Sequence, residues 1–246
     1  MAVRGLNDYT RSILLTRTTA LRRAERTVEL MLDALGDAAT DIMVILEITD
    51  KAAVKPLRPQ LLVGKLARIT ERMEALGDEY NEIVRGAASA TIDDVVSVRR
   101  AATARLAEQN GAAFVPSFVR VPELALRMFT RRVDAAGLIL SPRLWAQEQM
   151  GNMQRIIGAG LARGERAGSV AAKLEAFLSP NARHGAMRII HAGDAPVAHQ
   201  AARVAITEVN NTYWETSAVS AAASRVVEAQ MWNLSGRHPR TDVCDL

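Results

Sequence analysis

The residue types best suited to binding a metal lie close to the end of the sequence. His238 and Cys244 stand near each other, with Asp242 between them. Imidazole nitrogen and thiolate sulfur are good zinc ligands, but a tetrahedral structural site needs four ligands. The segment is therefore either part of a metal site that other residues complete, or no site at all. A nucleophilic Cys244 would in addition need a base held close to it.

A second candidate is the pair Arg203 and Glu208, in the segment AARVAITEVNNTYWE. The apolar residues of this segment recur at helical spacing. A Glu buried there would need an Arg or backbone partner to offset its lost hydration, whereas on a solvated face it would need none. The sequence pairs no nucleophile with a base and arranges no two carboxylates for acid–base catalysis. We therefore predict that the protein is not an enzyme.

Two other groups of residues suggest sites but do not have the required pattern. Four glycines fall within residues 158–168, yet a phosphate-binding loop needs a preceding strand and a following Gly-Lys-Ser/Thr, and neither is found. Three histidines within residues 184–199 are spaced by seven and eight positions, wider than the usual spacing of metal-binding pairs. We interpret the glycines as a helix end with a turn, and the histidines as surface residues.

Composition limits the class of protein. The 246 residues are 49% hydrophobic and 24% charged, with 4% aromatic residues and one cysteine. This balance is typical of a globular protein, and many alanines favour closely packed helices. No apolar run approaches the roughly 18 residues of a membrane span, and the first residues do not resemble a secretory signal. We expect a soluble protein that is made in the cytoplasm and has no membrane partner.

The charge is unevenly distributed. The formal net charge is +4; residues 1–111 carry 16 basic and 16 acidic side chains, and residues 112–246 carry 15 and 11. Most basic residues are Arg, which reflects either a GC-rich genome or a surface that faces phosphate groups. Arg237 and Arg240 are the candidate DNA contacts. The charge permits contact with double-stranded DNA without requiring it.

The first half of the sequence predicts long amphipathic helices. One spans residues 6–35 and ends at Gly36, and residues 41–54 form either a helix or a buried strand. After a proline-rich turn at 55–59, a second helix runs from residue 61 to about Gly86. A capping box at Thr91 and Asp94 opens a third, which ends near Gln109 before Asn110-Gly111.

The second half predicts shorter helices and one strand. Residues 112–122 break the pattern, a helix spans about 123–135, and Ser141-Pro142 starts another that ends at Gly164. Ser169 is expected to cap a short helix. A long helix spans about 195–223, and a strand covers 226–232. The predicted fold is mainly α, with a small β element near the C-terminus. Its three regions are an N-terminal helical region (1–111), a connecting region (112–139) and a C-terminal domain (140–246).

Three segments in order resemble the phage head-morphogenesis family of minor head proteins, of the phage Mu protein F type. They are 140–178, 201–218 and 226–246. The second is similar to the family's Arg-x-Ala-Arg-Thr-Glu-x-Asn helix and the third to its strand ending in Trp followed by a loop with Cys. The matching residues are Arg203, Ala205, Thr207, Glu208, Asn210, Trp232 and Cys244. Ile206 stands where the family usually has a second Arg. The family commonly continues with more Cys and His, so the zinc site that it implies would need residues beyond those shown.

The resemblance implies a minor capsid protein that acts in head assembly by binding. Its partners would be the portal protein, the major capsid protein or both, with double-stranded DNA as a further contact. It would be oligomeric within the particle, at the portal vertex or capsid interior of the virion, after assembly in the host cytoplasm. Zinc is the one cofactor implied, and only if the C-terminal motif is completed. The N-terminal helix, 6–35, is our candidate contact surface, because its apolar stripe is long and its other face is charged.

Two other classes remain as alternatives. One is a phage-encoded DNA-processing enzyme, a nuclease or transferase delivered with the genome, which would require a carboxylate cluster or a complete metal site. The other is a DNA-binding regulator, which would need a recognition helix with a concentrated basic face. Neither pattern is evident in the sequence.

Overall fold

The computed structural model describes residues 6–46, 59–111, 118, 120–130, 132, 140–179 and 197–224. Within these residues the protein is almost entirely helical and contains no strand, so the mainly α prediction is confirmed. The predicted β element at 226–232 lies outside the described residues. The six helices of the described part are α1 (Leu6–Leu46), α2 (Pro59–Gln109), α3 (Val121–Thr130), α4 (Leu140–Ala162), α5 (Ala167–Leu178) and α6 (Val197–Ala223).

The two longest helices, α1 and α2, pack against each other in opposite directions. Near the start of α1, Arg23 donates to Asp94 at 2.7 Å between Nη2 and Oδ2. Near its end, Asp41 accepts from Nε of Arg72 at 2.7 Å. Residues later in α1 therefore pair with residues earlier in α2, which shows that the two helices are antiparallel. Between these ion pairs, the apolar residues of both helices meet in the core.

The remaining helices complete one large core. The C-terminal α6 lies against both α1 and α2, α4 packs on α2, and α5 contacts α4 and α1. Trp145 of α4 stacks on Tyr80 of α2, with ring centroids 4.6 Å apart. The fully buried side chains at the centre include Val28, Met31, Leu35, Ile42, Met73, Leu76, Tyr80, Met153, Leu174 and Leu178. These residues come from both 1–111 and 140–246, and the division of the chain into separate domains stays a prediction.

A smaller apolar cluster attaches α3. Phe118, Val121 and Ala125 pack against Ile92 and Val96 of α2. The end of α6 lies against the same cluster. No helix in the described ranges combines the length and the apolar character that crossing a membrane requires.

The helix ends predicted at Gly36 and Gly86 were wrong. The structure continues α1 through Gly36 to Leu46 and α2 through Gly86 to Gln109. A glycine inside a helix costs only about 1 kcal/mol relative to alanine. Buried residues on both sides of each glycine, Leu35 and Ala38 in α1 and Val84 and Ala88 in α2, keep the apolar face continuous. Packing of that face outweighs the local preference of glycine.

The predicted capping box was also wrong, because Thr91 lies inside α2. Its hydroxyl donates to the carbonyl oxygen of Ala87 at 2.7 Å. Arg23 of α1 donates to the Thr91 hydroxyl at 3.3 Å and to Asp94. The Thr-x-x-Asp spacing thus places two hydrogen-bond acceptors on one face of a continuous helix. Both accept from Arg23 of the neighbouring helix α1.

Smaller differences concern the second half. The helix predicted from Ser141 begins at Leu140, and α3 spans Val121–Thr130 where 123–135 was expected. Arg166 occupies the N-cap of α5 without a side-chain hydrogen bond, and Ser169 lies inside that helix. The predicted ends at Gly111 and Gly164 are confirmed, with φ of 66° and 63°. Glycine reaches this left-handed conformation without steric cost, so it can end a helix.

Candidate functional site

The five motif residues of α6 divide between its two faces. Arg203 and Thr207 are exposed, Asn210 is half-buried, and Ala205 and Glu208 are buried. Ile206, at the position of the family's second Arg, is also exposed. Of the motif residues on this helix, Glu208 is the one that places a charged side chain in the interior.

An arginine from the connecting region neutralises Glu208. Nη1 of Arg132 lies 2.6 Å from Oε2 of Glu208. Nη2 of the same guanidinium donates to Oγ1 of Thr212 at 3.0 Å and to Oε2 of Glu215 at 3.0 Å. The spacing of 208, 212 and 215 places all three acceptors on one face of α6. We call these four residues the Arg132 cluster.

The sequence left open whether Glu208 is solvated or buried with an Arg or backbone partner, and the structure shows it buried beside an arginine. The partner is neither Arg203 nor a residue at position 206, but a side chain 76 positions away in the sequence. Burial of a carboxylate is costly without a paired cation, and the pair is nearly closed to water: the side-chain exposure is 4% for Glu208 and 19% for Arg132. No local signal in the sequence identifies Arg132.

Within the Arg132 cluster, the guanidinium of Arg132 lies beside the two carboxylates of Glu208 and Glu215. Burial raises the pKa of Glu215, the charge of Arg132 opposes this shift, and the charge of Glu208 adds to it. The guanidinium donates to acceptors at three positions of α6 at once. The arrangement can therefore fix the residues around Arg132 against that helix.

A groove lies where the start of α1 meets the end of α2. It encloses about 290 Å³, and we call it the tip groove. Ala102 and Leu106 of α2, both nearly buried, lie on one side and Leu15 of α1 on the other. Arg11 and Arg105 also line it. Asp8 lines the groove as well, so the groove joins apolar surface to two cationic side chains and one acidic side chain.

The N-terminal helix contributes unevenly to the surface. Leu14 and Leu15 are 56% and 60% exposed, more than any other leucine of this helix whose burial the structure describes. Further along the same helix, Val28, Met31 and Leu35 are buried in the core. The predicted contact surface, 6–35, is therefore partly internal, and its two most exposed described leucines lie toward the helix start, beside the tip groove.

The remaining candidate residues lie outside the described residues: Trp232, Arg237, His238, Arg240 and Cys244. Among the residues that the structure does describe, no three His, Cys, Asp or Glu side chains are grouped so that they could hold a metal ion. A zinc site at the C-terminal motif and DNA contacts by its arginines stay predictions.

The comparisons with known proteins give this chain no relative. No family model matches the sequence, and neither a curated protein nor a solved structure is significantly similar to it.

Proposed function

We propose that the protein is a minor head protein of a tailed phage or phage-like particle, which binds portal or capsid subunits during head assembly. The motif order within residues 140–246 supports this class of protein. The observation that carries the proposal is the pair of exposed leucines, Leu14 and Leu15, beside the tip groove. We propose this end of the α1–α2 pair as the binding surface.

The physical argument rests on burial of apolar surface. Single exposed apolar residues are ordinary, but neighbouring ones beside a groove mark binding surfaces. Removing apolar area from water is favourable by about 25 cal/mol per Å², and the part of this gain that exceeds the cost of association stabilises the complex. A helix or extended segment of another subunit could place apolar side chains between Leu15 and Leu106. Arg11 and Arg105 would favour an acidic rim on that subunit.

The experiment is co-purification of the protein with the portal protein of the proposed particle, and separately with its major capsid protein. The test variant carries Leu14→Glu and Leu15→Glu. The matched control carries Leu30→Glu and Val44→Glu, which add the same charge at exposed positions of the same helix. We expect the test variant to lose the partner and the control to retain it. Circular dichroism should show equal helix content in both.

Deletion of the N-terminal helix would be a poor test, because it removes the core residues Val28, Met31 and Leu35. Surface substitution separates binding from folding. Equal capture of partner by the test and control variants would reject the tip groove as the binding surface. Absence of the protein from purified particles and assembly intermediates, measured by mass spectrometry, would reject the proposed class.

A further inference from the structure

The side of α1 that points away from the core carries a line of exposed residues. Neighbours in this line are three or four positions apart, which places them on one face of the helix. We call it the α1 outer face, and its residues are Leu15, Thr19, Arg22, Arg26, Leu30, Asp33, Asp37, Thr40 and Val44. The line is about 44 Å long at the rise of an α-helix. Because all of these residues are exposed, the described part of the chain leaves this face open to a partner.

The charges of the α1 outer face are segregated by sign. Arg22 and Arg26 stand four positions apart, and so do Asp33 and Asp37. Like charges at this spacing destabilise a helix. Arg26 pairs with Glu29 of its own helix at 2.8 Å between Nη1 and Oε2, whereas no described residue forms an ion pair with Arg22, Asp33 or Asp37. The fold of a single chain therefore leaves most of this segregated charge uncompensated.

The order of residues along the α1 outer face is complementary to itself in the reverse direction. We consider a second α1 that lies antiparallel to the first, with a twofold axis between Glu29 and Leu30. Residues at equal distances on either side of that axis then lie opposite each other. The opposed pairs are Leu15 with Val44, Thr19 with Thr40, Arg22 with Asp37 and Arg26 with Asp33. Every charge of the face thus meets the opposite sign, and the apolar side chains meet at both ends and at the axis.

We propose that two copies of this chain associate through the α1 outer face as an antiparallel dimer with twofold symmetry. The symmetry makes each opposed pair occur twice. Charge pairs between helices set their orientation and register, while Leu15, Leu30 and Val44, which are 60%, 39% and 65% exposed, supply the apolar area that is buried. The dimer does not depend on the proposed function. Leu15 alone among these residues also lines the tip groove, and the charge variants leave it unaltered.

The first test measures the mass of the full chain by sedimentation velocity over a wide range of concentrations. At low salt we expect the mass to rise from that of one chain to that of two. Added salt should weaken the dimer, because exposed ion pairs are screened. The mass of a single chain at every concentration would overturn the proposal, and so would assemblies larger than two chains.

Two charge-reversal variants test the pairing. Arg22→Asp with Arg26→Asp makes all four charges of the α1 outer face acidic, and Asp33→Arg with Asp37→Arg makes them all basic. Each variant alone should raise the dissociation constant of the dimer by about tenfold or more, because every charge contact becomes repulsive. An equimolar mixture of the two should dimerise again, because each contact then joins opposite charges. A mixture that stays monomeric would overturn the proposal.

The matched control is Arg68→Asp with Arg203→Asp. It makes the same change of charge as the acidic variant, at exposed positions of α2 and α6, and should dimerise like the unaltered protein. Equal dimerisation by the control and both charge-reversal variants would place the contact elsewhere and overturn the proposal. The variant Leu30→Glu with Val44→Glu alters this same face, so it should be monomeric while it still captures the partner of the tip groove. That variant separates failure of the dimer from failure of the proposed function.

Crosslinking tests the orientation of the two helices. Thr19→Cys and Thr40→Cys are made separately, each with Cys244→Ser so that no other thiol is present. Under mild oxidation the two variants mixed together should form a disulfide-linked dimer, and neither should do so alone. In the antiparallel dimer the two residues at position 19 are about 30 Å apart, far beyond the reach of a disulfide. A crosslink in Thr19→Cys alone would show parallel helices and overturn the proposal.

Discussion

The buried carboxylate of Glu208 illustrates how one residue depends on a distant part of the chain. Its partner Arg132 belongs to the connecting region, and the same guanidinium reaches Thr212 and Glu215. The sequence indicates that a Glu within an apolar helical pattern requires an Arg or backbone partner if it is buried. It does not indicate which of the many arginines supplies that cation, because the choice is made by chain geometry over 76 positions.

Removal of the cation from the Arg132 cluster should be strongly destabilising. Arg132→Ala removes a cation from beside the buried carboxylate of Glu208, and breaking a buried ion pair in this way costs about 3 kcal/mol or more. The control is Arg26→Ala, which breaks an exposed pair with Glu29 and should cost under about 1 kcal/mol. Denaturant unfolding measures both variants. Similar free energies of unfolding for the two would contradict the importance of the cluster.

The raised pKa of Glu215 predicts a pH dependence. The ordinary value is 4.5, so the folded protein binds this proton more tightly than the unfolded chain does. Its contribution to stability is present below pH 4.5 and is lost as the pH rises through the raised pKa. Glu215→Gln cannot titrate. The unfolding free energy of the unaltered protein, minus that of the variant, should therefore decrease as the pH rises from 4.5 through the raised pKa of Glu215, and a flat or rising difference would contradict the prediction.

At the scale of elements, the helical periodicity located every helix of the described part. It failed at the boundaries inside α1 and α2, where glycines and a Thr-x-x-Asp sequence suggested ends. A helix-ending glycine or a capping residue changes the stability of a helix by about 1 kcal/mol. A continuous buried face across Gly36 or Gly86 involves several side chains. Burial of each large apolar side chain stabilises the fold by more than 1 kcal/mol, at about 1.5–3 kcal/mol. Tertiary packing therefore decided the length of both helices.

The contact between α4 and α5 depends on one glycine. A Cβ atom added at Gly160 would overlap with Cγ2 of the buried Val170, whereas one added at Gly158 would meet open space. Gly160→Ala should therefore cost about 1–3 kcal/mol through overpacking. Gly158→Ala should stabilise by up to about 1 kcal/mol through helix propensity. Thermal unfolding midpoints that move in the same direction for both variants would contradict this packing.

The same geometry predicts that a second substitution, Val170→Ala, restores part of the stability that Gly160→Ala removes. Adding Val170→Ala removes the methyl groups that the new Cβ would meet. The combined variant should lose less stability than the sum of the two single variants, because residues in contact are not additive. Strict additivity would show that the two positions do not touch.

At the scale of the whole molecule, the first and last described helices share one core. Val28 and Met31 of α1 belong to the same apolar cluster as Ala201 and Ala205 of α6. The two helices are thus held by burial of a common surface. Because neither the α1–α2 pair nor α6 buries its apolar face alone, the described parts of 1–111 and 140–246 should unfold together.

Cooperative unfolding is directly measurable. Hydrogen exchange of buried amides in α1 and in α6 should report one common free energy of opening at the core positions. Denaturant curves from circular dichroism and from tryptophan fluorescence should coincide. A separate, earlier transition of α4 to α6 would instead support an independent domain over residues 140–246.

The sequence by itself determined that the described part of this protein is helical and where its helices lie, apart from the boundaries inside α1 and α2. It also indicated that Glu208 would need an Arg or backbone partner if it were buried. These properties follow from the 3.6-residue period and from the cost of burying charge, which are both set by the local sequence. The tertiary structure decided that Glu208 is buried, which arginine pairs with it, and that the amide of Asn81 is buried without a hydrogen-bond partner among the described residues. Those outcomes depend on which surfaces meet after the chain folds back on itself. Such long-range contacts produce no periodic pattern in the sequence from which they could be predicted.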